Sequence, residues 1–196
     1  MNDPADGSGA AEAAASDGAD PSRIEVSVVL PAYNEADTIE ETVRTTLATL
    51  EAFLDTGTFE VIVAEDGCDD ETPAIADRLA DEIPAVRHFH SDERLGRGGA
   101  LERAFDAAHG GTLVYFDTDL ATDMKHLEEL VNTVRQGEAD VATGSRWMPD
   151  NVADRPAKRG IPSWGYNGAV RLFLRTEVRD HQCGFKAISR EAFEAV

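Results

Sequence analysis

Cysteine, lysine and long apolar runs are all scarce in this chain, and each scarcity closes off a class of protein. Cys68 and Cys183 stand far apart and form no CxxC pair, so neither a disulfide framework nor a zinc site is expected. The longest apolar stretches, such as Val28–Leu30 and Leu113–Phe116, are far too short to cross a bilayer. Residues 1–20 are acidic, rich in Ala and Gly, and lack the apolar stretch of a secretory signal, so the cytoplasm is the expected compartment. The five histidines show no metal-type spacing beyond His88-x-His90. On a strand those two share a face, and we read the pair as structural or superficial.

Positive charge is also scarce. Eighteen basic residues, of which only Lys125, Lys158 and Lys186 are lysine, stand against 38 acidic ones, a net charge of −20. Such a surface repels phosphate backbones, so no nucleic-acid partner is expected. Salt relieves self-repulsion at this density, which points to a cell with high internal salt, as in a haloarchaeon.

A length of 196 residues suits one domain with a tail. Residues 1–22 read as a disordered acidic leader and residues 23–196 as the folded domain. Within the latter, strands alternate with amphipathic helices. Strands are expected at Val26–Leu30, Val61–Ala64, Val86–Phe89, Thr112–Phe116 and Val141–Thr143. A first helix is expected from an Asp37 N-cap with Glu40 three residues on, carrying Ile39, Val43, Leu47, Leu50 and Leu54 on one face. Further helices are expected over Pro73–Leu79, capped by the preceding acidic cluster, over Ala100–Ala108, and through Met124, Leu127, Leu130, Val131 and Val134. This alternation implies parallel pairing with right-handed crossovers, a Rossmann-like α/β sandwich. In such folds ligands sit beyond the carboxyl ends of the strands.

The segments at those ends hold the unusual chemistry. Pro31-Ala32-Tyr33-Asn34-Glu35 has no glycine, so it is not a dinucleotide fingerprint, but Tyr33 offers a ring on which a base or ribose can pack. Glu65-Asp66-Gly67-Cys68-Asp69-Asp70 holds four carboxylates in six residues, whose repulsion demands compensation from helix amides or a ligand. Asp117-Thr118-Asp119 follows an apolar strand directly. Two carboxylates at i and i+2 can converge there on Mg²⁺ or Mn²⁺, bridging to a nucleotide diphosphate.

In order, Val28-Val29-Leu30-Pro31-Ala32-Tyr33-Asn34-Glu35, Glu65-Asp66-Gly67, Leu95-Gly96-Arg97-Gly98-Gly99-Ala100 and Asp117-Thr118-Asp119 together resemble glycosyltransferase family 2, over about Glu25 to Lys186. Gly144-Ser145-Arg146 and Asp180-His181-Gln182-Cys183-Gly184-Phe185-Lys186 are similar to segments of its dolichyl-phosphate sugar synthases, including the archaeal ones. The resemblance implies a GT-A fold, a three-layer sandwich with a mostly parallel central sheet. It also implies metal-dependent, inverting transfer of one hexose from UDP-glucose or GDP-mannose to dolichyl (polyprenyl) phosphate, feeding protein glycosylation at the cytoplasmic face of the membrane.

Carried across, Pro31, Tyr33, Glu35, Asp66, Arg97 and Asp117 would bind the nucleotide sugar, and Asp117 and Asp119 the metal. Asp119, Arg146 and Lys186 would serve catalysis, and Arg146, Lys186 and Arg159 the acceptor phosphate. Departures bear on the substrate. Glu65-Asp66-Gly67-Cys68 replaces the usual Asp-Asp-Gly-Ser and leaves base selectivity open. Ala121, where mannosyl-phosphate synthases often carry Gln, weakens the GDP-mannose reading. The QxxRW motif of processive synthases is missing, which favours single-sugar transfer.

A phosphate acceptor with a second pKa of about 6 is largely dianionic at neutral pH and has little need of a general base. Arg155, Lys158, Arg159, Arg171, Arg175 and Arg179 crowd the last third, interleaved with Trp147, Ile161, Trp164, Tyr166, Leu172, Phe173 and Leu174; this basic, aromatic segment is expected to meet the membrane surface. The chain stops at Val196 inside an apparent helix beginning near Glu191, so a continuation is expected. Transfer to a sugar hydroxyl and a non-catalytic nucleotide-binding module are the rival readings.

Overall fold

The computed structural model describes residues 20–118, 123–144 and 184–195. Six strands among them form one sheet: β1 (Val26–Ala32), β2 (Phe59–Glu65), β3 (Val86–Phe89), β4 (Thr112–Tyr115), β5 (Val141–Thr143) and β6 (Lys186–Ser189). Their order is β3-β2-β1-β4-β6-β5. The first four pair in parallel, whereas β6 runs antiparallel between β4 and β5.

The helices are α1 (Ile39–Glu51), α2 (Thr72–Glu82), α3 (Gly96–Ala107), α4 (Leu127–Arg135) and α5 (Arg190–Glu194). Alternation along the strands decides which face each layer covers. Val26, Val28, Leu30, Val61, Val63 and Val114 pack with Ile39, Val43, Leu47 and Leu50 of α1, Leu79 of α2 and Leu127 and Val131 of α4. Val29, Ile62 and Leu113 face the other way, against Ala104 and Phe105 of α3 and Phe193 of α5. The result is the expected three-layer sandwich. Each fully buried Leu, Ile or Phe in it contributes about 1.5–3 kcal/mol by removal from water. None of the helices among the described residues is long and apolar enough to cross a membrane.

Several local expectations are corrected. The first helix is capped at Thr38, not Asp37, and no side chain caps it; instead the Glu35 carbonyl accepts from the Thr38 and Ile39 amides. At α2 the N-cap Glu71 makes no side-chain capping bond; Asp70, one residue before it, accepts from the Thr72 amide through Oδ1 at 2.9 Å. The third helix starts at Gly96 rather than Ala100. Four residues rich in glycine gave no helical signal, but Gly96 takes φ +74°, a left-handed entry that suits glycine, and Asp66 anchors its amide. Strand β6 was not foreseen. Its position in the sheet comes from pairing with β4 and β5, which lie far from it in sequence.

Candidate nucleotide-sugar site

The carboxyl ends of β1, β2 and β4 and the start of α3 enclose a cavity of about 280 Å³ lined by Pro31, Ala32, Tyr33, Glu35, Asp66, Arg94, Gly96, Arg97, Asp117 and Thr118. All six residues expected to bind the nucleotide sugar are therefore on one wall or another of a single cavity. Asp119, Arg146 and Arg159 lie outside the described residues, as does the basic, aromatic stretch from Trp147 to Arg179.

The turn after β1 is held by the acidic turn after β2. Asn34 adopts φ +54°, a conformation asparagine tolerates better than most residues. Its side chain donates to Asp69 Oδ1 at 2.5 Å and accepts from the Asp69 amide at 3.0 Å. The Glu35 amide donates to Thr72 Oγ1 at 2.8 Å, and the Glu35 carboxylate accepts from the Thr38 hydroxyl at 2.9 Å.

The repulsion among the four carboxylates is relieved one by one. Glu65 meets His88 and His90, and buried Asp66 accepts from the Gly96 amide at 2.7 Å. Asp69 is held by Asn34, and Asp70 accepts from the Thr72 and Ala36 amides. Burial pushes Glu65 up, but its hydrogen bonds with His88 and His90 outweigh that and hold it below the usual carboxylate range. Burial first, then the neighbouring Glu65 and Asp70 carboxylates, pushes the Cys68 thiol up to about 11, so it stays protonated. Gly67 has φ +58°, and a methyl there would press on the Arg94 backbone at 3.1 Å.

Arg94 and Tyr115 were missed by the sequence reading, and Gly184 entered it only inside a family-like segment, with no role of its own. The Arg94 guanidinium lies over the Tyr33 ring, 3.7 Å from its centroid, and so covers the face proposed for a base or ribose. Arg97 pairs with Asp117 at 2.6 Å and approaches the Tyr115 ring at 5.7 Å. Lys186 does not line the cavity. From β6 its Nζ donates to Tyr115 Oη at 3.1 Å, behind the Arg97–Asp117 pair. A methyl on Gly184 would collide with Asp117 Oδ2 and lie 3.0 Å from Arg97 Nη2. Phe185, buried and edge-on to Phe116 at 5.8 Å, pins this segment beneath the loop after β4. That loop is tied to α1 by the Thr42 hydroxyl donating to the Thr118 carbonyl at 2.7 Å.

The donor chemistry fits a hard divalent cation. Asp117 presents carboxylate oxygens at the half-exposed lip of a polar cavity, the ligand type Mg²⁺ and Mn²⁺ prefer.

A mostly parallel α/β sheet, with a cavity at the carboxyl ends of its strands, has the architecture of the GT-A glycosyltransferase fold. The family model described as "Glycosyl transferase family 2" matches residues 27–196, and the chain belongs to that family. It is similar to the glycosyltransferase AglD of Haloferax volcanii, at 78% identity over 173 residues, covering 88% of this chain and 28% of that protein. The dolichyl-phosphate beta-glucosyltransferase of Drosophila melanogaster is 34% identical over 179 residues, covering 85% of this chain and 55% of that enzyme. The chain thus spans about a quarter to just over half the length of these relatives. Among solved structures, the mannosyltransferase PcManGT from Pyrobaculum calidifontis, in complex with GDP-Man and Mn²⁺, superposes with a TM-score of 0.62 at 24% identity. The match covers 91% of this chain and 49% of that one, and it speaks for the fold alone.

Proposed function

We propose that this domain transfers one hexose from a nucleoside-diphosphate sugar to dolichyl (polyprenyl) phosphate, with inversion at the anomeric carbon, in a high-salt cell and at the cytoplasmic face of its membrane. The observation that carries the reading is the single cavity joining Tyr33, Asp66, Arg97 and Asp117 at the strand ends, backed by Gly184-Phe185-Lys186. The 34% identity to a dolichyl-phosphate beta-glucosyltransferase supports the acceptor class.

In this reading Asp66 and Tyr33 hold the nucleoside, with the Arg94 guanidinium swinging off the Tyr33 face or sandwiching the base. Arg97, paired with Asp117 here, turns toward the diphosphate. A divalent ion, Mg²⁺ or Mn²⁺, held by Asp117 and Asp119 would neutralise the diphosphate and stabilise it as a leaving group. An oxygen of the acceptor phosphate attacks the anomeric carbon as the bond to the diphosphate breaks on the opposite face. The acceptor is already a dianion, so no proton has to be removed. Lys186, one ring behind the cavity, fits a long-range electrostatic hold on the acceptor together with Arg146 and Arg159.

The test is transfer from radiolabelled UDP-glucose and GDP-mannose, separately, to dolichyl phosphate in high salt with Mg²⁺ or Mn²⁺. A lipid product from one donor, abolished by chelator and by Asp119→Ala, is expected; Lys186→Ala should chiefly weaken acceptor use. Product on a soluble glycan alone would move the acceptor to a sugar hydroxyl. Metal-dependent nucleotide binding without turnover would make the domain a binding module. Wild-type activity in Asp119→Ala would sink the metal assignment.

A further inference from the structure

Behind the cavity, at the carboxyl ends of β2 and β3, three side chains converge that the transfer chemistry does not use. The parallel register sets Val63 opposite His88 and Ala64 opposite Phe89, which carries Glu65 alongside His90. His88 and His90 share a face of β3, the face that α2 covers. His88 Nε2 lies 3.2 Å from Glu65 Oε1, and His90 Nδ1 makes a very close contact with the same oxygen. One donor atom from each residue lies within 4.8 Å of the other two.

Glu65 is 2% exposed; the Cys68 thiol lies beside its carboxylate, and its second oxygen, Oε2, is buried with no partner of normal hydrogen-bond geometry among the described residues. The opposite sides of the rings are occupied as well. His88 Nδ1 lies 2.6 Å from Asp77 Oδ1 on α2, and His90 Nε2 lies 3.0 Å from Asp92 Oδ1. Each imidazole thus turns one nitrogen toward Glu65 and the other onto a carboxylate, the outer support that metal-bound histidines habitually have.

We propose that Glu65, His88 and His90 form a site for a borderline divalent cation of the Zn²⁺ type, distinct from the hard-cation position at Asp117. Two imidazole nitrogens and one carboxylate oxygen suit Zn²⁺ or Co²⁺ rather than Mg²⁺. The 3.2 Å between His88 Nε2 and Glu65 Oε1 is near the separation of a little over 3 Å expected for ligand atoms about 2.0–2.2 Å from a tetrahedral zinc, and the closer His90 nitrogen would move outward on binding. A bound ion would engage the stranded carboxylate and relieve the close His90–Glu65 contact. The half-exposed His90 leaves a side from which water can complete the coordination. His88-x-His90 was the one metal-type spacing in the sequence and reads there as structural, because the third donor, Glu65, comes from the neighbouring strand. Its consequence is structural: the ion would clamp the acidic turn to β3 directly behind Asp66, whose carboxylate positions Gly96 at the start of α3. This inference does not depend on the identity of the donor or acceptor.

The experiment is Co²⁺ and Zn²⁺ titration of the chelator-stripped full chain in excess Mg²⁺, read by the visible d–d band and by calorimetry. One equivalent of Co²⁺ with a low-coordination band, displaced by Zn²⁺ but not by Mg²⁺, is expected. His88→Gln and His90→Gln should each weaken binding by about 100-fold or more, and Asp77→Asn by about 10–100-fold. Asp117→Asn should leave it unchanged. In the wild type, imidazole NMR signals of His88 and His90 should move on adding Zn²⁺ while those of His109, His126 and His181 stay; this readout serves even if a variant fails to fold. Equal affinity in the wild type and His88→Gln, the absence of any stoichiometric Co²⁺ band, or shifts confined to His109, His126 or His181 would overturn the proposal.

Discussion

Strand β2 carries a buried glutamate near each end, and the two are used in opposite ways. Glu60, near the amino end, has both oxygens occupied. Oε1 accepts from the Ser27 hydroxyl at 2.6 Å and the His109 amide at 2.7 Å, and Oε2 pairs with Arg87 at 2.7 Å and lies 3.2 Å from His109 Nδ1. Glu65, at the carboxyl end, shares one oxygen between two histidines and leaves the other without a partner of normal hydrogen-bond geometry among the described residues. Burial pushes both carboxyls up, and in both the hydrogen bonds outweigh it and hold them below the usual range. The amino ends of these strands close the fold, so a carboxylate there is fully satisfied. The carboxyl ends face the ligand, and there an unfilled valence is tolerated.

Truncation should separate the two glutamates most sharply. Glu60→Ala strands the Arg87 guanidinium and should cost about 3–5 kcal/mol in denaturant unfolding. Glu65→Ala should cost only about 1–3 kcal/mol, because it also removes an unsatisfied group. Equal losses would erase the distinction.

At the ligand end, Gly184→Ala should displace Asp117 and Arg97 and reduce transfer by about 100-fold, with Tm little changed. Unaltered turnover would show that the Asp117–Arg97 geometry is not part of the working site.

Acid titration probes the amino end. Because the folded pKa of Glu60 is depressed, its stabilisation is fully present above its unfolded value and is lost as pH falls through the folded value. Glu60→Gln should therefore be about 1–3 kcal/mol less stable than the wild type at neutral pH. That gap should close in acid, below the folded pKa; a gap that persists there would assign the effect to shape rather than charge. The smallest effect belongs to Arg94→Ala, which removes a cation–π contact of about 0.5–1 kcal/mol. It should hardly change unfolding, and nucleotide titration would report whether the uncovered Tyr33 face binds more weakly or more tightly.

Much of this was legible before the structure. Val26, Val28 and Leu30 announced a buried strand, and Ile39, Val43, Leu47 and Leu50 a one-sided helix, because burial imposes a period on sequence. Asp66 and Asp117 stood out because carboxylates directly after apolar strands are costly without a purpose. Arg94 and Tyr115 did not stand out, and Gly184 did so only within a family-like segment, since nothing local distinguishes an arginine over a tyrosine ring from one in solvent, or a glycine against a carboxylate from one in a loop.

By itself the sequence determined the alternation of strands and helices and the acidic turns at the strand ends, since hydrophobic period and turn chemistry are local properties. Only the tertiary structure decided that β6 runs antiparallel and brings Gly184 against Asp117, and that Glu65 comes to lie beside His88 and His90. Those contacts join residues 23 to 77 positions apart, from Glu65 and His88 (88 − 65) to Thr112 and Ser189 (189 − 112). Only pairing between strands, with the packing it allows, fixes which distant side chains meet.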